Sequence, residues 1–184
     1  MYKFTLNETS YHGAGAIKAV PEEIKNRGFK KAFVASDPDL VKFGVSKKVT
    51  DLLEAAGIEY TLYSDIKPNP TIENVKHGVE EFKASGAECI VAIGGGSPID
   101  AAKAMWIKYE YPELTFEDMC KVFGIPKLRR KAHFCAISST SGTATEVTAF
   151  SIITDYHKGI KYPIADFEIT PDVAIVDPEL AHTM

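Results

Sequence analysis

The sequence predicts a doubly wound α/β fold, a mainly parallel Rossmann-like sheet with one β-hairpin added, and three observations carry that prediction. Short runs of strand-forming apolar residues alternate with segments whose apolar positions recur every three or four residues. The intervening segments are long enough for helical crossovers between parallel strands. Residues 89–104 (CIVAIGGGSPIDAAKA) run from an apolar strand through Gly94, Gly95 and Gly96 into a helix. Without Cβ atoms these glycines let a ligand approach bare N–H groups, and the helix start favours an anion, most commonly a phosphate. Ser97 is expected as the N-cap and Pro98 as the first helical residue. A glycine-rich turn that merely joins strand to helix would have the same composition. The ordinary dinucleotide fingerprint fails, because Ile99 stands at its third glycine position and no acid follows in the expected strand context about twenty residues later.

The elements follow in order. Residues 2–5 suit a short edge strand, and the turn at 13–15 leads into a helix with Ile17, Val20 and Ile24 on one face. A strand at 31–36 (KAFVAS) ends at Asp37-Pro38-Asp39. One helix is expected next, carrying Val41, Val45, Val49, Leu52 and Ala56 on a stripe and closing at Gly57. A strand at 59–63 leads to the loop Lys67-Pro68-Asn69-Pro70, after which Thr71 caps a helix with Ile72, Val75, Val79 and Phe82 on one side. Beyond the glycine turn, a helix from Pro98 to about Lys108 gives way at 109–131 to an irregular surface excursion. A strand at 133–138 opens into the hydroxyl-rich stretch 139–146 (STSGTATE), which can line a phosphate or ribose or simply be a solvated loop. A hairpin joins 150–154 to 161–165, and a short buried strand follows at 173–176.

Composition narrows the function. The chain has 184 residues, 45% apolar and 25% charged, with a net charge of −4 and interspersed signs, which argues against nucleic-acid and membrane partners. Three cysteines without C-x-x-C spacing, no signal-like N-terminus and no long apolar segment fit a reduced cytoplasmic protein.

At 94–104 (GGGSPIDAAKA) and 139–148 (STSGTATEVT) the sequence resembles the iron-containing, or group III, alcohol dehydrogenases. KPNPT at 67–71, KYPIAD at 161–166 and TPDVAIVDP at 170–178 extend the resemblance. LNET at 6–9 and NRGFKKAFVASD at 26–37 are most similar to the lactaldehyde reductase branch, and AMWIKYEYP at 104–112 to butanol and ethanol dehydrogenases. The resemblance implies a dehydroquinate synthase-like N-terminal domain that binds a nicotinamide dinucleotide. It assigns the pyrophosphate to Gly95, Gly96, Ser97 and Asp100, and the adenine side to Ser139 and Thr140, where the family usually has two threonines. Thr143, Thr148, Lys161 and Leu180 match other cleft positions. Asp37 matches the position that selects the cofactor; a carboxylate there accepts from a ribose 2′-OH and repels a 2′-phosphate, so NAD is expected over NADP. A helix N-cap would explain the same residue. Asn69 matches a position near the nicotinamide and substrate, although turn chemistry between two prolines also suits it.

The family's iron, or other divalent metal, is held by one Asp and three His of a helical second domain, whose opening G-M/V-D-A-L-T-H-A stretch this sequence lacks. His12, His77, His133, His157 and His182 include neither an i, i+4 pair nor an H-E-x-x-H motif. No catalytic and no metal-ligating residue is therefore expected within 1–184, which reads as a single dinucleotide-binding domain, a truncated oxidoreductase without turnover of its own. Small alcohol or aldehyde substrates belong to the full-length enzyme. The family often forms dimers, and the edge strand at 2–5 could add to a partner sheet. Two other readings stay open: a non-catalytic phosphate- or nucleotide-binding α/β module, and a relative of the zinc-dependent glycerol dehydrogenases or dehydroquinate synthases, which fits 139–148 less well.

Overall fold

A computed structural model describes residues 5–181. Eight strands form: β1 (Thr9–His12), β2 (Lys31–Ala35), β3 (Glu59–Tyr63), β4 (Cys89–Gly94), β5 (His133–Ser138), β6 (Phe150–Asp155), β7 (Ile160–Ala165) and β8 (Val173–Val176). Six of them make one sheet in the order β1-β8-β5-β4-β2-β3, with every pairing parallel. The remaining two form the expected antiparallel hairpin, with Thr154 opposite Lys161.

The helices are α1 (Ala19–Asn26), α2 (Pro38–Lys42), α3 (Val45–Ala55), α4 (Ile72–Ser85), α5 (Gly96–Glu110), α6 (Phe116–Met119) and α7 (Pro178–Ala181). Side chains alternate across the strands and so feed two cores. Phe33, Ala35, Ile90 and Ala92 face α4 and α5, while Ala32, Val34, Val91 and Ile93 face α1 and α3. Both faces of the sheet are covered, which is why β4, at its centre, is buried at every position.

The structure departs from the sequence expectations in several places. The strand expected at 2–5 falls outside the described residues except for Thr5, which is not in a strand; the edge strand is β1, paired to β8. The single helix after Asp37 is two helices, because Gly44 adopts a left-handed φ of 74° and turns the chain, leaving Val41 exposed. Helix α5 begins at Gly96, with Gly95 as its N-cap, so Ser97 and Pro98 sit inside the first turn. The stretch 109–131 is not a surface excursion: it contains α6, opened by a Thr115–Asp118 capping box, and buries Phe116, Met119, Ile125 and Leu128.

Candidate functional site

Strands β2 and β4 are neighbours, yet the chain visits β3 between them, so the direction of winding reverses there. In open α/β sheets such a switch point leaves a crevice at the carboxyl ends of the strands. A cleft of about 630 Å³ lies at this place, bounded by the turn after β2, the loop after β3, the glycine turn after β4 and the loop after β5.

Each wall has a local cause. Gly94 has a φ of 157°, and a Cβ on it would come within 2.5 Å of the Pro98 ring. A Cβ on Gly95 would stand 3.0 Å from Thr140 Cγ2, and one on Gly96 3.2 Å from Thr143 Cγ2. The glycines therefore keep two walls apart that side chains would close. No side chain caps the start of α5, which leaves its first-turn amides to a ligand or solvent. Ser97 Oγ instead accepts from the Asn69 N–H at 3.3 Å, tying the loop after β3 to the glycine turn. Asn69 holds a left-handed φ of 53° between its prolines. Opposite, Ser139 is 1% exposed and its Oγ has no hydrogen-bond partner.

The cleft gathers Asp37, Gly95, Gly96, Ser97, Ser139 and Thr140, with Asn69 joined at its edge. Asp37 is also a helix N-cap: Oδ1 accepts from the Leu40 N–H at 2.8 Å, and its other oxygen is not used by that cap. Thr143 is exposed above Gly96. The remaining expected residues do not line this cleft. Lys161 is exposed on β7, Leu180 is 1% exposed in the core beside α1 and α3, and Thr148 lies against Lys103.

Asp100 also serves the packing of the hairpin. Its Oδ2 accepts from the Ile152 N–H at 3.1 Å, and its carbonyl accepts from Ser151 Oγ at 2.8 Å. Burial raises its carboxyl above the ordinary range, against the Ile152 hydrogen bond and the Lys103 charge. It anchors the hairpin to α5. Conversely, the cleft includes Leu40, Phe43, Val45, Ile66, Lys67 and Pro68, which motif reading passed over. Their position just beyond β2 and β3 was the available signal.

A family model described as iron-containing alcohol dehydrogenase matches residues 7–178. The chain belongs to this family. It is 53% identical over 185 residues to an NADPH-dependent butanol dehydrogenase of Clostridium saccharobutylicum, covering 100% of this chain and 47% of that protein. It is 42% identical to the lactaldehyde reductase of Escherichia coli, covering 99% and 47% respectively. Among solved structures, sulfoacetaldehyde reductase from Bifidobacterium kashiwanohense in complex with NAD+ superposes with a TM-score of 0.87 at 26% identity, over 100% of this chain and 48% of that one. The chain thus spans about half the length of these relatives.

The two groups that the family implies fare differently here. Among the described residues no three His, Cys, Asp or Glu side chains come together as a metal would need, so these residues do not fit the iron. A dinucleotide does fit: the glycine turn holds space that any Cβ would fill, and the buried Ser139 hydroxyl at the same cleft lacks a hydrogen-bond partner among the described residues. Among the described residues no helix is long and apolar enough to cross a membrane.

Proposed function

We propose that this chain is the nicotinamide-dinucleotide domain of an alcohol or aldehyde dehydrogenase and binds the cofactor without turning over a substrate by itself. The observation that carries the reading is the cradle between the uncapped start of α5 and the orphaned Ser139 hydroxyl at the switch point of the sheet. When bound, a nicotinamide dinucleotide accepts hydride from an alcohol or gives it to an aldehyde. This chain's part is to hold and orient it. The amides of Gly95, Gly96 and Ser97 receive the pyrophosphate, Ser139 and Thr140 line the adenine side, and Asn69 lies toward the nicotinamide. Iron or another divalent metal, and the small alcohol or aldehyde, require residues other than those described.

NAD is the proposed cofactor, supported by the Asp37 carboxylate at the cleft. NADP is the second reading, favoured by the name of the butanol dehydrogenase with which this chain shares 53% of its residues. Calorimetry with NADH and NADPH tests both. Saturable NADH binding, with no oxidation of small alcohols on addition of ferrous iron, is expected. Absence of binding by either cofactor at millimolar concentration overturns the reading, and sugar-phosphate binding with indifference to NADH turns it into a phosphate-binding module.

A further inference from the structure

Lys103 lies on α5, two turns beyond Gly96, and is 0% exposed. Its Nζ donates to the carbonyl oxygens of Thr145 at 2.8 Å, Thr148 at 2.6 Å and Phe150 at 3.0 Å, and lies 3.4 Å from Thr148 Oγ1. An ammonium has three N–H donors, and here three main-chain acceptors take them. All three belong to the stretch that leads from the hydroxyl-rich loop into β6. The near end of that loop touches the glycine turn: Thr140, Thr143 and Thr145 are the side chains that a Cβ on Gly95 or Gly96 would meet. One helix therefore carries one wall of the cleft at its first turn and, through Lys103, grips the element that forms the other.

We propose that Lys103 is a positioning residue for the cofactor: its ammonium sets the separation between the glycine turn and the loop 139–150, and so the affinity of the cleft for a nicotinamide dinucleotide. The inference rests on the cofactor-binding reading above. Nothing in it requires Lys103 to touch the cofactor.

The protonation state gives the proposal a signature. Burial lowers the Lys103 ammonium below the ordinary lysine value of about 10.4, against the opposing charges of Asp100 on α5 and Glu146 on the loop. Among the described residues these two are the charged groups that act on it. A neutral amine has two N–H donors and leaves one of the three carbonyls unserved, so cofactor affinity falls as pH rises through the lowered value. The linked stability runs the other way. A lysine whose folded pKa lies below its unfolded one gives up a proton on folding, so its contribution to stability rises with pH across that interval. Weaker cofactor binding without a matching loss of stability from this group therefore reports the loop and not the fold.

The test compares the full chain with Lys103→Met. We expect NADH affinity to fall roughly 10- to 100-fold at neutral pH, as a cleft wall displaced by about an ångström would cause. The difference between the two proteins should shrink from about pH 7 to about pH 10, as wild type loses its charge. NADH affinities within roughly twofold of each other, or a wild-type affinity flat across that range, would overturn the proposal. If Lys103→Met does not fold, the wild-type pH profile decides alone. If wild type does not bind NADH, the cofactor reading has failed, and amide hydrogen exchange separates that from the positioning claim. Faster exchange confined to 139–150 in the variant supports a grip by Lys103, and unchanged exchange there rejects it.

Discussion

The two ends of the sheet differ in what their charged and capping groups do. At the amino end, Asp172 is 3% exposed, and its carboxylate accepts from the Arg129 Nε–H and from the Phe134 N–H at 2.8 Å. Arg129 also donates to the carbonyls of Glu168 and Thr170 and stacks over the Trp106 ring at 4.9 Å. The Glu110 carboxylate accepts from the Trp106 indole and from the amides of Arg129 and Arg130. At the carboxyl end, the first turn of α5 has no side-chain cap and Ser139 Oγ has no partner. At the amino end the side chains of Asp172, Arg129 and Glu110 use their hydrogen-bonding capacity for folding, although His133 Nδ1 and Thr170 Oγ1 beside them have no hydrogen-bond partner among the described residues. The carboxyl end is where binding can add something.

Substitution at the amino end should break this comparison most strongly if it is wrong. Asp172→Ala removes the Nε acceptor of the Arg129 guanidinium, which keeps the Glu168 and Thr170 carbonyls, and strands the buried Phe134 amide; it should cost about 2 kcal/mol of unfolding free energy while leaving NADH affinity unchanged. Burial alone would raise the Asp172 carboxyl; the His133 ring and the Arg129 charge outweigh it and hold the group below the ordinary carboxylate range. A depressed carboxylate adds stability above its unfolded pKa of about 3.9, which is lost as pH falls through the lower folded value. Denaturant unfolding of wild type and Asp172→Ala should therefore converge in that acid window. A constant gap would show that packing, and not the ion pair, carries the effect.

Gly95→Ala is the matching change at the carboxyl end. Its φ of −81° suits alanine, so the backbone is not strained, but the new methyl stands 3.0 Å from Thr140 Cγ2 and projects into the cradle. NADH binding should weaken by roughly 10-fold or more, with thermal stability changed by less than about 1 kcal/mol. Equal affinity in the two proteins would remove the glycine turn from the site.

How much of this could be read from the sequence depended on the range of the interactions involved. β2, β4 and β5 were legible because burial on both faces makes them largely apolar, and α4 because Thr71 and Asn74 close a capping box three residues apart. The strand, turn and helix around the three glycines were legible from equally local signals. The start of α5 was misplaced because Ser97-Pro98 has the composition of a cap, whereas the Ser97 hydroxyl serves the distant Asn69 amide. The motif gave Asp100 a cofactor role, and only the packing of β6 on α5 shows that its carboxylate also accepts from the Ile152 amide. β1 was missed because TSYH has no core pattern; its pairing with β8, at the other end of the chain, creates it. Lys103 did leave a trace. A single lysine among Ala101, Ala102, Ala104, Met105, Trp106 and Ile107 stands on a helix apolar all round, where a charge must find buried partners.

The subtlest expected effect lies at Asp37, where one carboxylate serves both ends of the argument. As N-cap of α2 it contributes to folding, and it also lines the cleft, where the proposed function gives it the choice between cofactors. Asp37→Gly separates the two, because glycine is itself a tolerated N-cap and its cost in stability is a few tenths of a kcal/mol. The NADH affinity should then fall a few-fold as the acceptor for the ribose 2′-OH is lost, while NADPH affinity rises as the repulsion of the 2′-phosphate is removed. The ratio of the two dissociation constants is the decisive quantity, since a general loosening of the cleft would move both in the same direction. An unchanged ratio would leave Asp37 as a helix cap and nothing more, and would shift the weight toward NADP, in line with the butanol dehydrogenase of Clostridium saccharobutylicum.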